Sequence, residues 1–139
     1  MHNFNNLQIW QSGMDLAQAI YQICDTLPNQ EKYGLISQMQ RAAVSIPSNI
    51  AEGAGRPTNK DFSHFIGIAL GSSFELQTQI LLAERIGYID NSTKEKLNSA
   101  IDKLQKMLIG YKKKIDSHNE VISQQSDPTS HNEVIIKTK

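Results

Sequence analysis

The stretch "RAAVSIPSNIAEGAGRPTNKDFSHF", residues 41–65, holds the turn on which the fold depends. Its first half continues an apolar pattern that starts at Ile36 and recurs at steps of three and four residues, which indicates an α-helix. Pro47 lies inside that helix, where it removes one backbone donor and crowds the preceding turn, so a kink is expected. Gly53 and Gly55 are then predicted to supply the end of the helix and the turn.

The second half of the same stretch predicts the start of another helix. Thr58 or Asn59 suits the N-cap, and Asp61 falls in the first turn, where a negative charge favours the helix dipole. The stretch is therefore predicted to be the connection between two long helices.

Beyond this stretch, the same periodicity predicts four helices joined by short connections. Gly87 is the expected end of the third helix, and the Ser92-x-x-Glu95 spacing predicts a capping box at the start of the fourth. The predicted helices are residues 7–27, 31–54, 59–86 and 92–115. This pattern predicts an all-α domain over residues 1–115, an antiparallel up-down four-helix bundle.

The first helix carries two neighbouring apolar stripes, which together are wider than one packing partner needs. One stripe contains Met14 and Tyr21, and the other contains Leu16 and Ile20. Either this helix is central in the fold, or a second subunit covers part of it. The sequence therefore points to an oligomer as one of two interpretations.

Residues 116–139 break the helical pattern. "SHNEVI" occurs twice there, at residues 117–122 and 130–135, separated by a polar segment that contains Pro128. Two copies are too few for a repeat fold, so a flexible, disordered tail is expected. A short binding motif is the alternative interpretation of this tail.

Composition limits the classes of function. The 139 residues contain 14 Lys+Arg and 14 Asp+Glu, so the net charge is zero. This composition does not indicate a strongly basic nucleic-acid-binding protein. One cysteine, Cys24, rules out an intrachain disulfide and is expected to be a small buried apolar residue. Neither a secretory signal nor a membrane span is recognised in the sequence, so a soluble cytoplasmic protein with no membrane partner is expected.

Known catalytic patterns are not matched. Asp61-x-x-His64 is the one pair that approaches the Glu-x-x-His spacing of a di-iron bundle, and one pair cannot fill a metal shell. Cys24 has no histidine placed near it, and "EGAGRPTNK" lacks both the spacing and the preceding strand of a P-loop. We expect no enzyme activity, no catalytic residue, no metal site and no cofactor.

A cluster of polar residues is predicted beside the apolar stripes of the second and third helices. Its members share a helix face or lie at a matching height across the turn, and they are Arg41, Ser45, Asn49, Glu52 and Glu75. Arg41 and Glu75 are predicted to form an ion pair. The cluster is interpreted as fixing the register of the helices, and the alternative is that part of it lines a pore or a ligand surface.

Basic residues form two groups that are candidates for contact with phosphates. The candidate nucleic-acid-binding residues are Arg56 and Lys60 near the turn, and Lys103, Lys106 and Lys113 on the fourth helix. Interleaved acidic residues and few aromatic residues weaken this pattern, but an oligomer would repeat the same patch in each subunit.

These residues resemble the signature of a known family. "RAAVSIPSNIAEGAGR", followed by "DFSHFIGIALGSSFELQTQILLAERIGYI", is similar to the bacterial S23 family, also called 23S rRNA intervening-sequence proteins. "LQIWQSGMDLA" resembles the family's opening helix. The resemblance covers roughly residues 7–115.

The resemblance implies a four-helix bundle that assembles into a ring-shaped homopentamer. Some members are encoded inside intervening sequences of 23S rRNA genes, and the role of most members is unknown. A related branch contains accessory proteins of diversity-generating retroelements, which bind nucleic acid and a reverse transcriptase. This chain departs from that branch in its zero net charge.

Two hypotheses of function follow. The first is a non-enzymatic homo-oligomer that binds RNA or DNA through its basic surfaces. The second is a structural or protein-binding ring with a protein partner and no nucleic-acid ligand.

Overall fold

A computed structural model describes residues 2–125, with side chains up to residue 118. Within these residues the chain forms four α-helices and no strands: α1 (Gln8–Cys24), α2 (Leu35–Ala54), α3 (Asn59–Arg85) and α4 (Asn91–Gln125). Two short 3-10 helices, Phe4–Asn6 and Asn29–Glu31, precede α1 and α2. The prediction of an all-α chain is confirmed.

One apolar core joins the four helices. Helix α2 packs against both α1 and α3, and α4 packs against α3 and less extensively against α1. Most of the apolar positions predicted from the sequence supply this core, although Met14 and Tyr21 of α1 stay exposed. The fully buried large side chains of the core are Ile20, Met39, Ile46, Ile50, Phe62, Ile66, Leu76, Ile80, Ile101, Leu104 and Leu108. Cys24 is buried, as expected for a small apolar residue.

The connection between α2 and α3 is as predicted except for the role of Gly53. The Thr58 side chain caps α3 by accepting a hydrogen bond from the Asp61 backbone N–H at 3.1 Å. Helix α2 ends at Ala54, as predicted, and Gly55 lies at its C-cap position. Gly53 lies inside the helix and does not end it. Instead it is buried against α3, where an added Cβ would lie 2.7 Å from Cβ of Phe65. Gly53 is therefore a site of close helix packing. Helix α2 continues through Pro47, and the kink expected there stays a prediction.

The end of α3 follows the prediction closely. Gly87 has a φ of 86°, a conformation that favours glycine. Its N–H donates to the Glu84 carbonyl at 3.0 Å, and the Tyr88 N–H donates to the Ala83 carbonyl at 2.9 Å. This pair of bonds is a Schellman motif, which satisfies the last carbonyls of the helix.

The start of α4 differs from the prediction. The Asp90 side chain, rather than Ser92, accepts the capping hydrogen bond, from the Thr93 backbone N–H at 2.8 Å. The predicted capping box is wrong, because α4 begins one residue before Ser92, at Asn91, and so places Asp90 at the cap position.

The predicted end of the fourth helix at residue 115 is also wrong, since α4 continues to Gln125. After Gly110 no glycine or proline occurs before Pro128, so nothing in the local sequence ends the helix earlier. Residues 116–125 thus belong to α4 rather than to a tail. The rest of the predicted disordered tail, residues 126–139 with the second "SHNEVI", lies outside the described residues.

Candidate functional site

The predicted polar cluster divides into parts that do not all meet. The Ser45 and Ser72 hydroxyl oxygens lie 2.8 Å apart across the α2–α3 seam. Asn49 Nδ2 donates to the Ser45 carbonyl at 2.8 Å and to its hydroxyl at 2.9 Å. Ser72 is a member that the sequence reasoning missed, although its place in the small-residue run "GSS" marked it as a point of close approach.

Glu52 turns away from this seam and pairs with Arg56. The Arg56 guanidinium lies 3.2 Å from the Glu52 carboxylate and 4.9 Å from the centre of the Phe65 ring. Both charged side chains are about half exposed, so the ion pair contributes little to stability. These contacts hold Arg56 over the α2–α3 turn. The guanidinium group predicted to contact phosphate is therefore already paired with Glu52 and stacked on Phe65.

The predicted Arg41–Glu75 ion pair is wrong. Both side chains are exposed, and within the described residues no ion pair joins them. Arg41 and Glu75 do lie at a similar level along their helices, since each is about one turn from the Ser45–Ser72 contact. The error lies in rotation about the helix axes, because both side chains point outward from the α2–α3 seam.

The basic candidates on α4 lie on its exposed side. Lys103, Lys106 and Lys113 are exposed, and Lys106 pairs with Asp102 at 3.2 Å. Lys112 differs from them, because its ammonium group lies 3.2 Å from the half-buried Asp116 carboxylate, which also accepts a hydrogen bond from Ser63 at 2.5 Å. Lys112 therefore belongs to the α3–α4 seam.

A lysine run distinguishes this part of α4 from the rest of the chain. Residues 103–115 contain five lysines and no acidic residue, while the whole chain is neutral. Lys103, Lys106 and Lys113 follow the helical steps that place residues on one side. With Lys60, which is exposed at the start of α3, they are the candidate residues that have no buried role.

The outer side of α3 is apolar to an unusual extent. Five large apolar side chains there are between 38% and 50% exposed, namely Ile68, Phe74, Leu81, Leu82 and Ile86. Between Asp61 and Glu84 the helix holds only two titratable residues, His64 and Glu75. Among the described helices, α3 alone has the length and mean hydropathy that would suffice to cross a bilayer, a test that core helices of soluble proteins also pass.

A second apolar surface lies between α1 and α2. It is a shallow groove of about 460 Å³ lined mainly by Trp10, Met14, Ala17, Tyr21, Val44, Pro47 and Ala51. Met14, Tyr21 and Val44 are exposed in it. Of the two apolar stripes predicted on α1, the one that contains Met14 and Tyr21 lines this groove.

Neither surface brings together reactive groups. Within residues 2–118 no cluster of three His, Cys, Asp or Glu side chains has the arrangement of a metal site. Burial raises the pKa of the Cys24 thiol to about 11, with a smaller contribution from the charge of Asp25. A thiol with a raised pKa is a poor nucleophile at neutral pH.

Four helices around one core, with a lysine face and two apolar surfaces, place the described residues in the class of small all-helical domains. The family model for 23S rRNA-intervening sequence proteins matches residues 5–110. The chain belongs to that family.

A solved structure agrees with this assignment. It is the crystal structure of a protein of unknown function from the S23 ribosomal protein family of Bacteroides thetaiotaomicron VPI-5482. The likeness has a TM-score of 0.71 at 26% sequence identity and covers 76% of this chain and 98% of that one. A search of curated proteins found no significant match.

Proposed function

We propose that this protein is a non-enzymatic, cytoplasmic homo-oligomer that binds the phosphate backbone of RNA or DNA through the exposed lysines of α4. The observation that carries the proposal is the lysine run 103–114, which contains no acidic residue. Phosphate contacts of this kind supply most of the affinity of sequence-independent nucleic-acid binding.

The geometry of α4 supports this proposal. Lys103 and Lys113 form no ion pair within the described residues, so their charges are available to a ligand. At a rise of 1.5 Å per residue they lie about 15 Å apart along the helix. Lys106 lies between them, and its exposed pair with Asp102 is weak enough for a phosphate to displace.

Oligomerisation would multiply this face. The Ser45–Ser72 and Ser63–Asp116 contacts support an antiparallel arrangement of the helices. In this arrangement α3 keeps an exposed apolar side. Monomeric soluble proteins rarely expose large contiguous apolar patches. The resemblance implies a ring of five subunits, in which five lysine faces would act together.

The resemblance to accessory proteins of diversity-generating retroelements also fits a nucleic-acid ligand. A structural or protein-binding ring is the second candidate function. The apolar groove between α1 and α2 favours it, since such a groove suits a protein partner better than a phosphate backbone.

The test is fluorescence anisotropy with single-stranded RNA of about 20 nucleotides, titrated between about 50 mM and 200 mM salt. The Lys103→Gln/Lys113→Gln variant should bind more weakly and lose about one unit of salt slope per lysine. Lys32→Gln removes one exposed lysine outside α4 and is the control, which should bind like the unmodified protein. Absence of binding by the unmodified protein at the lowest salt, to single-stranded or duplex probes, would overturn nucleic-acid binding and favour the protein-binding ring.

A further inference from the structure

We propose that copies of this chain join head to tail, with the exposed side of α3 of one copy seated in the α1–α2 groove of the next. The inference rests on the proposed homo-oligomer and names the surfaces that build it. The two surfaces are different, so the contact is heterologous, and each copy offers one of each.

Apolar complementarity is the first argument. The ridge on α3 presents Ile68, Phe74 and Leu82, and the groove presents Met14, Tyr21 and Val44. Each set is exposed in the single chain, so burying these apolar side chains would favour association of the two copies. Seating one set on the other removes both from water at once.

Charge complementarity is the second argument. Glu75 is the one charged residue in the middle of the α3 ridge. Arg41 is an exposed residue of α2 one turn before Val44, which lines the groove. Neither forms an ion pair within the described residues of its own chain. Docking brings Glu75 of one copy to Arg41 of the next, inside an apolar surround.

Gly71 on α3 also supports a contact with a second copy. It lies one turn before Glu75 on the exposed side of α3, and a glycine inside a helix is less favourable than an alanine. Nothing in its own chain requires a glycine, because an added Cβ would meet no atom within 4 Å and φ is not positive. Close approach of a helix from a second copy supplies the missing reason.

The positions of the surfaces fit a ring. Because α2 lies between α1 and α3, the groove and the ridge lie on neighbouring sides of the molecule. Each docking step then turns the next copy through an angle, and a heterologous contact needs such a turn to close into a ring.

The experiment measures mass by size exclusion with light scattering over a range of concentrations. Arg41→Glu and Glu75→Arg should each dissociate the assembly, raising the concentration at half assembly by roughly tenfold or more, since like charges would then face each other. The double variant Arg41→Glu/Glu75→Arg should restore it. Gly71→Ala should weaken assembly, while Gly110→Ala, another helical glycine with nothing within 4 Å, should not.

The outcomes separate the two proposals. Single variants that keep the full mass, or a double variant that stays dissociated, would overturn the α3–groove contact and leave the oligomer itself standing. An unmodified protein that is monomeric at every concentration would overturn both. Circular dichroism of each variant verifies that the helices are intact.

Discussion

Gly53 is a position where one methyl group decides whether two helices can pack. Its added Cβ would lie 2.7 Å from Phe65 Cβ and 2.9 Å from Phe62 Cδ1, and Phe62 is fully buried. Gly53→Ala should therefore lower the free energy of unfolding by about 1–3 kcal/mol. Urea denaturation measures this, with Gly110→Ala as a control that should raise stability by about 0.5–1 kcal/mol. A stabilised Gly53→Ala would contradict the packing described.

The Cys24 thiol gives a second prediction for a single residue. Its side chain is buried and its pKa is raised to about 11, chiefly by burial, so almost no thiolate exists at pH 8. Native protein should react slowly with a thiol reagent such as DTNB, and urea-unfolded protein should react at once. Rapid reaction of the native protein would show that α1 opens at this end.

Single residues also show where sequence reasoning succeeds. The roles of Thr58 and Gly87 were predictable because each depends on a few neighbouring residues, a cap oxygen in one case and a left-handed conformation in the other. The role of Gly53 was not, because it depends on Phe62 and Phe65 of the next helix. A glycine near a helix end looks the same in sequence whether it caps or packs.

At the scale of the elements, α4 depends on Asp90 for its start. The hydrogen bond from the Thr93 N–H holds the pKa of Asp90 below its usual value, so the folded state favours the carboxylate. This contribution is present above the ordinary pKa of about 3.8 and is lost as the pH falls through the lower folded pKa.

Asp90→Asn keeps an oxygen that can cap but removes the charge. The difference in melting temperature between the original protein and this variant should be constant near neutral pH and shrink below about pH 4. Asp90→Ala, which removes the cap at every pH, should be less stable than Asp90→Asn throughout. Equal stability of these two variants would contradict the capping role.

Element boundaries and helix rotations mark the limit of the sequence analysis. Apolar periodicity gave the four helices and their core faces, because period is a property of the chain alone. The Arg41–Glu75 pair failed since a contact across two helices also needs their rotation about their axes. The polar seam between α3 and α4, where Gln77 accepts from Gln105 at 3.0 Å and donates to Asn98 at 2.7 Å, went unnoticed for the same reason.

At the scale of the whole molecule, the proposed binding face and the proposed assembly contact lie on different helices and differ in chemistry. The lysine face acts through charge, and the α3 contact acts mainly through apolar burial. Between about 50 mM and 200 mM salt the affinity for RNA should fall steeply while the mass by light scattering stays constant. A five-subunit ring of 15.6 kDa chains has a mass of about 78 kDa. A mass that falls with salt in parallel with RNA affinity would show that charge, rather than α3, holds the assembly.

The affinity should depend on the length of the RNA, because in the assembled ring a long RNA can contact the lysine faces of several subunits at once. Glu75→Arg should dissociate the ring. Although this variant adds a positive charge, it should bind long single-stranded RNA about 100-fold more weakly. A very short RNA that reaches only one lysine face has no joint binding to lose, so its affinity should change little. The double variant Arg41→Glu/Glu75→Arg has the original net charge and a restored ring, and it should recover the affinity for long RNA. If Glu75→Arg bound long RNA more tightly, simple charge addition would explain the result and joint binding by the ring would be wrong.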